Sequence, residues 1–168
     1  MNKSNLIDRI KKDKKPSEEK KLQFISFIIG EEEYATDILK VFEITNLKKL
    51  TKVPSMPHFV KGVLNLKGLV VPVIDLREKF GVDSTKITKY SVIMVVDVSG
   101  RVMGVIVDKV KEILKIKSSE IQPPPRFFSG IKSQFIRGMV KKDSDSFMII
   151  LDMAKILSDN ELDIMDNL

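Results

Sequence analysis

The residues able to do chemistry in this chain are few and scattered. His58 is the only histidine, held between Pro57 and Phe59, and there is no cysteine. A hydrolase or transferase needs a nucleophile beside a base, paired carboxylates, or metal ligands at workable spacing. A lone imidazole in a proline-bounded loop supplies none of these, so it reads as a partly exposed loop residue and no metal site is expected. Asp75, Asp97 and Asp108 each end or interrupt an apolar run and could converge as a catalytic set. Capping is the simpler account, because a short carboxylate satisfies the free N–H groups of a turn or helix start, and Asp75 before LREKF stands where an N-cap would. No GxGxxG or GxxxxGK[ST] pattern offers a phosphate cradle. The methionines at 56, 94, 103, 139 and 148 lie in or beside apolar runs and read as core filling. An enzyme is the least supported class, and no cofactor is implied.

The residues that remain suit a docking surface. Glu43 and Glu112 each sit inside an otherwise apolar Val-x-Glu-Ile tetrapeptide, Val41 to Ile44 and Val110 to Ile113. That arrangement would place one charged contact beside an apolar strip. The sequence from Pro123 to Phe128, PPPRFF, is a stiff extended segment that delivers two adjacent aromatics, at least one of them to the surface or an interface.

The elements that must position these residues are short strands. Residues 1–21 are polar, Lys-rich and broken by Pro16, which reads as a flexible tail without the apolar run of a signal peptide. From Leu22 the pattern becomes LQFISFII, a GEEE turn, YATDI and then VFEI. A loop from Thr45 to Lys61 carries Pro54 and Pro57, which no central strand tolerates. GVLNL and LVVPVI follow as a hairpin with a Lys67-Gly68 turn, and DLREKFG as a single helical turn closed by Gly81. The run from Thr88 to Ile116 reads as one long hairpin turning at Ser99-Gly100, and FIRGMV with SFMIIL as another hairpin. Residues 152–166 have apolar spacing that predicts a short helix.

Charge is +6 overall, with a sequence pI near 9.4. The first 21 residues carry eight Lys or Arg against four acids, while residues 152–168 carry one against five. The remaining excess is dispersed, with no clustered cations of the kind that counterion release requires. A basic β-barrel nucleic-acid binder is therefore a weak alternative. The longest apolar stretches are too short to cross a bilayer, and the absence of cysteine suits a reducing compartment, so a cytoplasmic protein without membrane insertion is expected.

Landmarks recur in the two halves. Each has Val-x-Glu-Ile after a hairpin, a proline-bearing loop, and a Gly-started hairpin ending in aspartate, Gly62 to Asp75 and Gly138 to Asp152. An internal duplication follows, giving a mostly-β fold of two small barrels with an intervening groove. The expected division is subdomain 1 at about 22–85, subdomain 2 at about 86–151, and the C-terminal helix.

FIIGEEEYATDILKVFEI, GVLNLKGLVVPVIDLREKFG, GVIVDKVKEIL and EIQPPPRF, in this order, resemble the CheW-like chemotaxis coupling proteins. The resemblance implies two SH3-like five-stranded barrels and a non-catalytic adaptor. The implied partners are the cytoplasmic tip of chemoreceptors and the regulatory domain of the histidine kinase CheA. It implies a receptor contact through Val41, Glu43, Ile44 and Ile113, and kinase contacts at Lys61, Gly62 and Phe127. The family's hairpin usually reads Asn-Leu-Arg-Gly, whereas this chain has Asn65-Leu66-Lys67-Gly68. A point charge thus replaces a planar fork at a position implied to set coupling strength. The same module could serve a different receptor-kinase array, such as one for surface motility.

Overall fold

Ten strands build two five-stranded sheets in the computed structural model of the chain, which describes residues 20–83, 86–124 and 134–168. In chain order they are β1 (Lys21–Ile29), β2 (Glu32–Asp37), β3 (Val41–Asn46), β4 (Val60–Leu66), β5 (Leu69–Asp75), β6 (Val92–Val98), β7 (Arg101–Val107), β8 (Lys109–Lys117), β9 (Ile136–Lys141) and β10 (Phe147–Leu151). One sheet has the order β8-β1-β2-β10-β9 and the other β3-β6-β7-β5-β4.

These orders correct the expected division at residue 85. The sheet containing the first hairpin, β1–β2, is completed by β8, β9 and β10 from the second half, while β3 to β7 make the other. Each half gives its hairpin to one sheet and its remaining three strands to the other. The exchange happens at Asp37–Lys40, where a 3-10 turn capped by Asp37 redirects the chain, and at Asp108, where the chain leaves β7 for β8. The long hairpin expected from Thr88 to Ile116 is accordingly three strands, the third of which pairs with β1 in the opposite sheet.

The duplication itself is exact in register. β5 pairs with β7, and β10 with β2, as the two parallel contacts. Bulges fall at matching places, opposite Ile74/Val73 in β4 and opposite Leu151/Ile150 in β9. Thr51 exchanges backbone hydrogen bonds with Val63, as Gln122 does with Met139, and Asp75 N donates to Phe59 O as Asp152 N does to Phe135 O.

Three apolar clusters hold the fold. Phe24, Ala35, Ile116, Val140, Met148 and Ile150, one or two from each strand, fill one barrel. Leu64, Val71, Val73, Ile93, Val95 and Ile106 fill the other. By far the largest cluster lies between the barrels and takes Ile25, Phe27, Met94, Val96, Val105, Ile149 and the C-terminal segment. In β6, Ile93 and Val95 face the barrel interior while Met94 and Val96 face the other barrel, so VIMVV is buried on both faces and reads as a continuous apolar run. Four of the five methionines of the sequence reading, at 94, 103, 139 and 148, are buried in these clusters.

The ends of the chain also differ from expectation. Lys21 belongs to β1, paired with Lys117. The C-terminal segment is two elements: a 3-10 turn at Met153–Lys155 capped by Asp152, and a helix at Asp159–Asp166 opened by a reciprocal cap between Ser158 and Glu161. Ser158 divides them because its side chain competes for the backbone N–H groups that a continuous helix would use internally. Among the described residues no helix is long and apolar enough to cross a membrane.

Candidate functional site

The edge strand β3 alternates in exposure. Phe42 is 58% exposed and Ile44 is also exposed, while Val41, Glu43 and Thr45 are half-buried. Val41 packs on the core between the barrels, as its counterpart Val110 does. The outward apolar pair is therefore Phe42 and Ile44, and the sequence hides Phe42 because the x of Val-x-Glu-Ile carries no pattern by itself. Glu43 has no ion-pair partner among the described residues, whereas its counterpart Glu112 lies 4.0 Å from Lys142. Ile113, on the edge strand of the other sheet, is 58% exposed. It holds the register position in β8 that Ile44 holds in β3, since bulges at Val41/Glu43 and Ser26/Phe27 align the two strands.

The β4–β5 hairpin ends in a tight turn. Lys67 and Gly68 both have positive φ, 52° and 84°, and Asn65 Oδ1 accepts from Gly68 N at 3.0 Å. The β6–β7 turn repeats this with Ser99, Gly100 and Asp97 Oδ1. Such turns match the twist of paired strands, so the sequence places the tip with little freedom. Lys67 is exposed there beside Leu69 and Val70, the latter 64% exposed. Two consecutive outward apolar residues in a strand end are a signal that the alternation rule alone does not provide.

Lys61 is ion-paired with Glu78 of the helical turn Leu76–Lys79. Gly62 is buried at the bulge, pressed against the Thr51 carbonyl. That position makes Gly62 a residue that shapes the hairpin. Phe127, together with Pro125 to Phe128, lies outside the described residues.

The acidic residues considered for chemistry act as caps and clamps. Asp75 Oδ1 accepts from Arg77 N at 2.9 Å, and its carboxylate accepts from Arg77 Nε and Nη2 at 3.0 and 2.8 Å. Arg77 Nη1 donates to Lys86 O and to Asp108 Oδ1, while Asp108 Oδ2 accepts from Gly30 N at 2.7 Å. Both Asp75 and Arg77 are 2% exposed. Hydrogen bonding to Asp75 holds the guanidinium pKa above its ordinary value despite burial. The cluster ties β5, the β7–β8 crossing and the β1–β2 turn together, and its full pairing leaves no free base. Asp97 serves its own turn, and His58 stands exposed with its ring edge-on to Phe59.

The expected groove between the barrels is occupied by core. A groove of about 620 Å³ opens instead on the β1–β2 turn and the β9–β10 hairpin, with Phe80 alone contributed by the helical turn of the other barrel. Tyr34, Phe80 and Phe135 stack successively along it, at ring separations of 5.4 and 5.7 Å. Val41, Glu43, Ile44 and Ile113 do not line it.

Two sheets joined through a shared core, with apolar side chains exposed at edges and a hairpin tip and with Asp75, Asp97 and Asp108 committed to caps and clamps, suit a docking module. The chain belongs to the CheW-like domain family, whose description matches residues 23–161. A chemotaxis protein CheW of Helicobacter pylori is 39% identical over 144 residues, covering 86% of each chain. One from Klebsiella aerogenes is 36% identical over 145 residues, covering 86% of this chain and 87% of that protein. Among solved structures, the scaffolding protein TtCheW from Thermoanaerobacter tengcongensis superposes with a TM-score of 0.77 at 34% identity, over 84% of this chain and 96% of that one.

Proposed function

We propose that the chain is a non-catalytic cytoplasmic adaptor that couples the cytoplasmic tips of chemoreceptors to the regulatory domain of the histidine kinase CheA. The observation that carries this reading is β3, where exposed Phe42 and Ile44 flank a half-buried Glu43 that has no ion-pair partner among the described residues. An amphipathic receptor helix laid there covers the apolar pair and supplies a basic or polar donor to Glu43. Ile113 extends the receptor face from the second barrel. The kinase face is the β4–β5 hairpin, where Lys67 presents a charge beside Leu69 and Val70 and the Lys61–Glu78 pair fixes the base. Phe127 is retained as a kinase contact on the family resemblance alone.

The test is reconstitution with a receptor cytoplasmic fragment and the CheA regulatory domain. Binding to both, with a ternary complex and no ATP hydrolysis by the chain alone, is the expected result. Failure to bind either partner sinks the reading.

A further inference from the structure

The groove beside the β9–β10 hairpin contains a carboxylate with unmet hydrogen-bonding capacity. The Glu33 side chain is 10% exposed, and its Oε2 is held by Lys142 Nζ at 2.7 Å with Lys111 Nζ at 3.6 Å. Its Oε1 is buried and has no hydrogen-bond partner, the one such side-chain atom found among the described residues. A buried acceptor left unpaired costs the full desolvation of that oxygen, so it marks a place where a donor is missing.

The surroundings specify the donor. Glu31, Glu32, Glu33 and Asp145 on the lining outnumber Lys111 and Lys142, so a cation is favoured over a neutral or anionic group. Tyr34 and Phe80 line the same space with their rings buried against one another, and the exposed aromatic of the groove is Phe147. A guanidinium is less strongly hydrated than an ammonium, stacks on aromatic faces, and offers several N–H groups, of which one can reach Oε1 while others meet the acids. Phe147, exposed on the hairpin, lines the groove as well, and covering it requires apolar groups adjacent to the cation. A bare cationic head group would leave that ring uncovered.

We propose that this groove is a docking site, separate from the β3 strip and the β4–β5 hairpin, for a partner-protein segment that inserts an arginine against Glu33 and lays a neighbouring apolar residue over Phe147. The site is independent of the adaptor reading, because it uses none of the residues assigned to receptor or kinase. Lys142 stays on Oε2 and sets a like charge beside the incoming arginine, so removing that charge favours the arginine.

The experiment is an NMR titration of the full, isotope-labelled chain with the capped peptide acetyl-Leu-Arg-Phe-Leu-amide, its Arg→Met analogue, and acetyl-arginine-amide. The arginine peptide is expected to shift resonances around Glu33, Phe80 and Phe147, with the analogue weaker by about tenfold. Glu33→Gln and Phe147→Ala should each weaken it several-fold, and Lys142→Met should tighten it. Phe147 is exposed, so its variant keeps the test informative even if Glu33→Gln unfolds. Equal binding of the Met peptide, equal binding of acetyl-arginine-amide, no response at the groove, or weakening by Lys142→Met would each overturn the proposal.

Discussion

Gly62 and Gly138 occupy the same bulge in the two sheets, each with its Cα against a backbone carbonyl, Thr51 O for the first and Gln122 O for the second. A Cβ on Gly62 would collide with the Thr51 carbonyl at a φ of 146°. One on Gly138 would lie 2.5 Å from Ile121 Cγ2 and 2.9 Å from Gln122 O. Both Gly→Ala variants are expected to lose stability, Gly62→Ala by about 2 kcal/mol or more because backbone strain adds to the clash. Urea denaturation of the full chain measures this, and an unchanged midpoint for Gly62→Ala would mean that the bulge yields.

Arg77 is enclosed by Asp75, Asp108 and a backbone carbonyl. Replacing it with Met strands a buried carboxylate, and a loss of about 3–5 kcal/mol is expected. Adding Asp75→Leu should recover part of that loss, since the stranded charge is then gone. A double-mutant cycle reads the coupling directly.

Lys79 anchors the C-terminal helix. Its Nζ meets both Glu161 oxygens, at 2.7 and 2.5 Å, and lies 4.4 Å over the Phe59 ring. Burial pushes the Glu161 carboxyl up, but its bonds to Lys79 and Ser158 outweigh that and hold it below its ordinary value of 4.5. A depressed folded-state pKa contributes stability that is fully present above the unfolded value and lost as pH falls through the folded one. Thermal melts should therefore show an acid-side loss beginning near the ordinary glutamate range and continuing below it. Lys79→Met should reduce that slope, the remainder belonging to carboxylates such as Asp143 and Asp166, and a slope unchanged by the substitution would contradict the assignment.

On the receptor face, Phe42→Ala and Ile44→Ala are expected to weaken binding of a receptor fragment about tenfold each, with melting temperatures nearly unchanged because both side chains are exposed. Glu43→Gln should weaken it less and reduce its salt dependence. Calorimetry on the purified chain separates these effects.

At the hairpin tip, Lys67→Arg is expected to strengthen binding to the CheA regulatory domain by several-fold if a kinase carboxylate is paired there, since only the guanidinium can engage it bidentately. Lys67→Gly should instead relieve the positive φ, raising stability slightly while lowering kinase affinity. Equal affinity for all three side chains would remove Lys67 from the kinase face.

Local chemistry carried much of this structure into the sequence. The Asp75 cap, the Lys67-Gly68 and Ser99-Gly100 turns and the paired Val-x-Glu-Ile strands each depend on a few adjacent residues. The choice of sheet did not show, because VFEI and VKEI have the same strand pattern whichever hairpin they join, and pairing across the chain leaves no periodic mark. Phe42, Leu69 and Val70 are hidden for a related reason. Apolar residues in a β-rich run read as core, and only the edge position of β3 and the projecting tip of the β4–β5 hairpin turn them outward. Glu33 was hidden in an acidic turn, where three consecutive glutamates look solvated until the β9–β10 hairpin closes over one of them.

The strand exchange also sets an order of assembly during synthesis. Strands β3 to β7 are contiguous, so their barrel can close once residue 107 has left the ribosome. β1 and β2 precede that barrel in the chain but must wait for β8 to β10, with Tyr34 pairing to Ile149 only once β10 has followed. Nascent chains should carry the β1–β2 hairpin without its sheet neighbours until β8 to β10 have emerged, which makes these two strands late to become native and dependent on protection from aggregation.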